Sequence, residues 1–197
     1  MELSEVQGLS MKHAIVLFAT VLAILFAGSV GAVGAQTSYS HLVIIVGAAG
    51  DDVYQEVFHN WAIELIDAAT DKLSLSTNQI TYLGERPNLS PERIAARSSR
   101  ENIEETIARL GKEAGPDDQI FFVLIGHGTG TGEQSRFNIP GPDITALEYD
   151  GMLKLLATQK IGFVNTASAS GDFVRVLSGL NRVIVTATRD GRQNNQT

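Results

Sequence analysis

The chain contains no cysteine among its 197 residues. This absence excludes disulfides, a cysteine nucleophile and thiolate metal sites. A domain of this length can bury enough apolar surface to fold without a covalent cross-link. Basic residues are also few, since 15 lysines and arginines stand against 22 aspartates and glutamates for a formal charge of −7. We therefore expect no binding to nucleic acid, which requires a basic surface.

Recognised cofactor and metal motifs are absent as well. The glycine-rich run at residues 126–132 matches neither G-x-x-x-x-G-K-[ST] nor G-x-G-x-x-G, and no helix pattern follows it directly. Residues 166–170 do not match G-x-S-x-G, so the nucleophile-elbow hydrolases are not indicated. His41 and His59 have no partner at metal-ligand spacing. We expect neither a cofactor nor a bound metal.

The N-terminal segment is organised like a secretory signal peptide. Residues 11–13 (MKH) precede an uncharged apolar run at residues 14–27, and a V-x-A site follows at residues 33–35. A basic start, a short apolar core and a small-residue site predict cleavage after Ala35. The mature domain, residues 36–197, would then be exported to the periplasm or secreted.

An alternative for this segment is an uncleaved membrane anchor. Residues 14–35 carry no charge and are long enough to span a bilayer. Membrane attachment is expected only in that case. Glu2 and Glu5 are unusual ahead of a signal peptide, so Met11 competes with Met1 as the true start.

One apolar run ends abruptly in glycine, histidine and glycine. Residues 120–125 (IFFVLI) are followed directly by Gly126, His127 and Gly128. A short apolar run bounded by glycine predicts a buried strand of a parallel sheet. Ligands of open α/β sheets bind outside the carboxyl ends of the strands. The sequence therefore predicts that His127 lies where such a fold performs its chemistry.

Strand patterns alternate with helix patterns along the mature chain. Strands are predicted at residues 41–46, 80–83, 120–125, 161–164 and 182–187, with helices between most of them. This alternation predicts βαβ units and a mostly parallel sheet with helices on both faces. The predicted fold class is an α/β three-layer sandwich.

Capping patterns predict where the helices begin. Asp51 or Asp52 is expected to cap the first helix, and capping boxes are expected at residues 98–101 and 145–148. The predicted buried stripe of the first helix comprises Tyr54, Phe58, Trp61, Leu65 and Ala68 or Ala69. A polar loop is expected after Gly132.

A second strand end carries hydroxyl side chains. Ser168 and Ser170 follow the strand predicted at residues 161–164. If this strand lies beside residues 120–125, about 5 Å away, His127 faces Ser168 as a base faces a nucleophile. The N–H groups of Gly128 and of residue 168 would then receive an oxyanion. The alternative is that these serines only cap a helix or stabilise a turn.

The two strand ends resemble the caspase-like cysteine peptidases, and most of all their legumain (asparaginyl peptidase) branch. That family has a strand ending in His-Gly and a later strand ending in x-A-C-x-S-G, matched here by residues 120–128 and 166–171. The turn at residues 47–50, with Tyr54 after it, is similar to the branch's first strand-end loop. The resemblance covers about residues 42–195. It implies a caspase-like fold and a peptide or protein substrate or partner.

The resemblance also implies a role for each matched residue. His127 matches the catalytic histidine, Gly128 the oxyanion-hole glycine, and Ser168 the nucleophilic cysteine. A thiol ionises near neutral pH, whereas a hydroxyl needs a base that is oriented by a third group. Three hypotheses stay open: an exported peptidase that uses His127 and Ser168, a non-catalytic pseudopeptidase that binds peptide or protein, and an unrelated α/β domain that binds a small molecule.

Two further departures from the family affect specificity and extent. Legumain-like enzymes carry an arginine just after the tyrosine of the first loop, whereas Gln55 and Glu56 follow Tyr54 here. A preference for asparagine is therefore not expected. The family domain normally continues past the strand matched by residues 182–187, which predicts that the domain in residues 36–197 is truncated at its C-terminus.

Overall fold

Six parallel strands form the central sheet of the computed structural model, which describes residues 38–189. The nine strands of this part of the chain are β1 (Ser40–Val46), β2 (Ile80–Gly84), β3 (Ala96–Arg97), β4 (Gln119–Ile125), β5 (Gly128–Thr129), β6 (Arg136–Phe137), β7 (Ile144–Thr145), β8 (Lys160–Asn165) and β9 (Arg182–Thr186). The central sheet has the order β3-β2-β1-β4-β8-β9, and every neighbouring pair is parallel. The five predicted strands are confirmed, and the strand that leads to His127 lies in the middle of the sheet.

Helices cover both faces of this sheet. They are α1 (Asp52–Leu73), α2 (Arg100–Glu113), α3 (Ala146–Leu153) and α4 (Asp172–Leu177). Helix α1 contacts β1, β2 and β4. The other three helices share one apolar core with alternate residues of β1, β4 and β8, among them Val43, Phe122 and Phe163. The α/β three-layer prediction is therefore confirmed.

Three short strands that the sequence pattern did not predict, β5, β6 and β7, form a small antiparallel sheet from segments before and after the predicted polar loop. Its anchor is Phe137, which is completely buried in the main core. Gly47 and Gly126 pack against this ring, and an added Cβ on either residue would come within 3.2 Å of it. The small sheet thus holds the loops after β1 and β4 together at the carboxyl edge.

Two of the predicted helix caps are confirmed, and one is wrong by a residue. Asp51 caps α1 by accepting the Tyr54 N–H, and Thr145 and Glu148 form the expected capping box. Helix α2 is instead capped by Ser99, which accepts the Asn102 N–H. Ser98 stands one residue too early, because Ser99 also has extended backbone angles (φ −79°, ψ 161°) and the helix begins only at Arg100.

The buried stripe of α1 is turned relative to the prediction. Its buried residues are Gln55, Phe58, Ala62, Ile66 and Ala69, whereas Tyr54, Trp61 and Leu65 are only partly buried. The prediction was wrong at those three positions. A polar side chain, Gln55, takes a buried place because its amide donates to the Glu85 carboxylate at 3.1 Å.

The predicted signal peptide or anchor, residues 1–35, lies outside the described residues. Within residues 38–189, none of the helices combines the length and the apolar character needed to cross a membrane.

Two buried tyrosines give opposite expectations for the loss of a hydroxyl. Burial raises the pKa of both Tyr82 and Tyr149. The Tyr82 hydroxyl pairs with His59 Nδ1 at 3.0 Å, whereas that of Tyr149 has no partner among residues 38–189. Tyr149→Phe is expected to raise the free energy of unfolding by about 1 kcal/mol, because it removes a buried hydroxyl without a hydrogen bond.

Tyr82→Phe is the matched control for this substitution. It should lower the free energy of unfolding by about 1 kcal/mol, because it removes a hydroxyl that has a hydrogen-bond partner. Urea denaturation of both variants measures the difference. If Tyr149→Phe lost as much stability as Tyr82→Phe, the Tyr149 hydroxyl would have a hydrogen-bond partner after all, and the prediction would be wrong.

Candidate functional site

The two strand ends that carry His127 and Ser168 are neighbours in the sheet. Strand β4 pairs with β8, and Leu124 lies opposite Asn165. His127 and Ser168 therefore each lie three residues beyond a paired position. The link continues past the ladder, because Thr166 donates both its N–H and its hydroxyl to the Leu124 carbonyl, at 3.0 and 2.8 Å. The adjacency of strands that a pairing of His127 with Ser168 requires is therefore present.

Gly128 is in direct backbone contact with the turn at residues 166–171, which we call the Ser168 turn. A Cβ built on Gly128 would lie 2.3 Å from the Ser168 carbonyl oxygen and 2.8 Å from that of Arg136. Both obstacles are backbone atoms, so neither can rotate away. Only glycine allows the segment after His127 to pass between the Ser168 turn and β6.

The N–H group of Gly128 points away from β6. The Asn138 N–H donates to the His127 carbonyl at 3.0 Å, and Gly128 lies opposite Phe137. In an antiparallel ladder this pattern makes Gly128 and Phe137 a non-hydrogen-bonded pair. The small sheet therefore does not use the Gly128 N–H, which is the group proposed as an oxyanion donor.

The ring of His127 is held by the loop after β1. Its Nε2 lies 3.2 Å from the Ala49 carbonyl oxygen. A carbonyl oxygen only accepts, so Nε2 carries the proton of the neutral ring and Nδ1 is left as an acceptor. The rings of Tyr54 and Phe58 contact the imidazole edge-on, with centroids 5.0 and 5.2 Å away. One tautomer and one orientation are thus favoured.

The group that orients His127 was not found from the sequence. The sequence offered no carboxylate for this task, and the partner is a backbone carbonyl 78 residues away along the chain. A backbone acceptor has no residue type that a motif could reveal. The only signal was the glycine-rich turn at residues 47–50, which the resemblance to the legumain branch had singled out.

The Ser168 turn contains one residue whose backbone lies in the left-handed region of φ and ψ. Ala169 has a φ of +55°, a conformation that side chains other than glycine adopt at a cost. Ser170, which follows it, is completely buried and lies 3.2 Å from the Thr188 hydroxyl. That hydroxyl also accepts the Gly171 N–H at 3.0 Å. Ser170 therefore has a structural role, and Ser168 is the more accessible serine of the turn.

A carboxylate of α4 ties the two loops together. Asp172 Oδ2 accepts the Gly132 N–H at 2.7 Å and the Ser135 hydroxyl at 3.3 Å. Gly132 and Ser135 belong to the segment that follows His127, whereas Asp172 follows the Ser168 turn. The same carboxylate thus fixes the spacing between both halves of the candidate site.

The remaining histidines of the described chain lie away from this edge. His41, near the start of β1, approaches Asp118 at 3.4 Å at the opposite end of the sheet. His59 stacks on Tyr82, and its pKa is lowered mainly by burial. Residues 38–189 hold no group of three or more histidine, aspartate or glutamate side chains that could bind a metal ion.

Comparison with models of protein families and with curated proteins finds no match for this chain. The likeness to legumain therefore depends on the residues quoted for it, chiefly those at 120–128 and 166–171. What the geometry adds is chemical: an oriented imidazole, a glycine N–H that the small sheet leaves unused, and a partly exposed hydroxyl beyond adjacent strands.

Proposed function

We propose that residues 36–197 form an exported peptidase-like hydrolase of the legumain type, with His127 as general base and Ser168 as nucleophile. The observation that carries the proposal is the backbone contact between Gly128 and Ser168 at the carboxyl edge. It supports a base, a nucleophile and an oxyanion donor on two adjacent strand ends. An uncleaved N-terminal anchor would keep the same domain at a membrane surface.

The steps of the proposed reaction depend on the hydrogen bond of His127. Nε2 donates to Ala49, so Nδ1 accepts the Ser168 proton as the hydroxyl oxygen bonds to the substrate carbonyl carbon. The Gly128 N–H stabilises the negative charge that forms on the carbonyl oxygen. His127 then returns the proton to the leaving amine as the C–N bond breaks, and water hydrolyses the acyl-enzyme.

The expected reaction is slow for a serine hydrolase. The imidazolium that forms on His127 faces a neutral carbonyl rather than a carboxylate. In a serine triad, loss of the orienting carboxylate lowers kcat by about 10⁴-fold. The proposed substrates are peptides, and asparagine is not a proposed preference, because Gln55 is turned inward to Glu85 instead of toward a substrate.

A serine-reactive fluorophosphonate probe tests this function. Ser168 should be labelled in the full-length protein, and His127→Ala should abolish the labelling because the base is lost. His59→Ala is the matched control, since His59 lies away from the site, and it should keep the labelling. Absence of label on Ser168 in a folded protein would reject the hydrolase.

A second candidate is a non-catalytic pseudopeptidase that binds a peptide or protein at the same edge. Two observations favour it: a hydroxyl stands where the family has a thiol, and the acceptor on His127 is uncharged. Under this proposal Ser168→Ala leaves peptide binding unchanged, as measured by calorimetry with a peptide library. Loss of a measured peptidase activity in the same variant would exclude it.

A further inference from the structure

Glu85 lies at the carboxyl edge of the sheet, as His127 does, and its carboxylate has no part in the proposed reaction. It comes directly after β2 and is partly buried. Its Oε2 atom accepts the Ala49 N–H at 3.2 Å and the Gln55 side-chain amide at 3.1 Å. Within residues 38–189 no lysine or arginine forms an ion pair with it, although its neighbour Arg86 pairs with Asp52. Its negative charge is thus directed at two neutral donors.

Ala49 connects this carboxylate to the imidazole. The N–H of Ala49 donates to Glu85, and its carbonyl accepts from His127 Nε2 at 3.2 Å. The preceding residues of the loop have their own bonds, since Gly47 donates to Ile125 and Ala48 to Asn138. Ala49 is therefore held by side chains from two different strand ends, β2 on one side and β4 on the other.

The loop needs this tie because a glycine comes directly after Ala49. Gly50 has a φ of +82°, and glycine gives the backbone access to conformations that would rotate the Ala49 carbonyl away. Hydrogen bonds to a charged acceptor are stronger than neutral ones. The N–H and the carbonyl of Ala49 lie in adjacent peptide planes that meet at its Cα. A carboxylate that accepts the N–H therefore holds the first plane and the Cα from which the carbonyl projects, while His127 binds the carbonyl itself.

We propose that Glu85 is a positioning residue for His127, acting through Ala49, with Gln55 holding the carboxylate in place. It fixes the carbonyl that keeps the proton on Nε2 and leaves Nδ1 as the base. The inference rests on the proposed function of His127, but its first measurement does not require activity. Under this proposal the imidazole is oriented by two groups in series: the Ala49 carbonyl, which contacts it, and the Glu85 carboxylate on a third strand end, which holds Ala49.

Nitrogen-15 NMR of the histidine ring in the full-length protein tests the inference. Wild-type His127, measured where the ring is neutral, should show one protonated Nε2 and one unprotonated Nδ1. In Glu85→Ala the two ¹⁵N shifts should converge toward an average, because both tautomers become populated. Glu85→Gln keeps an oxygen acceptor and should retain the single tautomer.

Glu92→Ala is the matched control, because Glu92 is an exposed carboxylate in the segment after β2 that accepts a hydrogen bond from the Ser90 hydroxyl. It should leave both shifts unchanged. If Glu85→Ala does not fold, Glu85→Asp gives the same readout, since its shorter side chain cannot reach Ala49. An unchanged tautomer in the folded Glu85 variants would overturn the inference.

Activity separates this inference from the proposed function. If the protein hydrolyses peptides, Glu85→Ala should lower kcat by about 10-fold with little change in KM, because the base is misplaced rather than the substrate. Glu85→Gln should restore most of kcat. A protein without activity whose His127 tautomer still depends on Glu85 would reject the hydrolase and keep the positioning role.

Discussion

Replacing Gly128 by alanine is expected to lower the free energy of unfolding by about 3 kcal/mol, the upper range for overpacking of a filled site. The new methyl group would lie 2.3 Å from the Ser168 carbonyl oxygen and 2.8 Å from that of Arg136. Since both are backbone atoms, relief requires β5 or the Ser168 turn to move. Urea denaturation measures the loss, and any probe labelling of Ser168 should fall with it.

Gly151→Ala is the matched control for this prediction. Gly151 lies in α3, and an added Cβ there meets no atom within 4 Å. Alanine should raise the free energy of unfolding by about 1 kcal/mol through its higher helix propensity. If Gly128→Ala proved as stable as wild type, the close contact between the His-Gly segment and the Ser168 turn would not exist in solution.

Replacing Ser168 by cysteine is expected to raise kcat/KM for a peptide substrate by about 10²-fold, the lower range of what general-base catalysis contributes. A thiol beside an imidazole gives up its proton near neutral pH, so it depends less on a strong base. His127, whose Nε2 faces only a carbonyl, is better suited to that task than to activating a hydroxyl. Peptide hydrolysis by the purified variant measures the gain.

Two variants control for the new thiol. Ser178→Cys places a cysteine on an exposed position after α4, and it should give no gain in hydrolysis. Combining Ser168→Cys with His127→Ala should remove the gain. If the thiol at position 168 reacted with iodoacetamide no faster than the one at position 178, His127 would not act on that position.

Much of the frame could be predicted because strand formation here is a local property. The apolar run at residues 120–125 is bounded by polar residues and glycine, and it forms a buried strand that differs from the prediction by one residue. The capping box of Thr145 and Glu148 is likewise read from four adjacent residues. Position at a strand end was enough to select His127 and Ser168 as candidates.

Predictions failed where a distant contact outweighed a local pattern. Ser98 has the spacing of a cap, but the extended segment that pairs with Gly84 continues through Ser99, so Ser99 caps α2 instead. Gln55 is polar and is nevertheless buried, because the Glu85 carboxylate accepts its amide. Phe137 follows the predicted polar loop and belonged to none of the predicted strands or helices, yet its ring packs against Gly47 and Gly126.

The sequence by itself determined the α/β class, the strands and the edge at which His127 lies, because hydrophobic periodicity and glycine punctuation act over a few residues. Only the tertiary structure decided how the His127 ring is oriented. Its Nε2 faces the Ala49 carbonyl, and the N–H of the same residue donates to Glu85 from a third strand end. No periodicity encodes such a bond, because backbone groups are the same in every residue and only the packed sheet brings these three strand ends together.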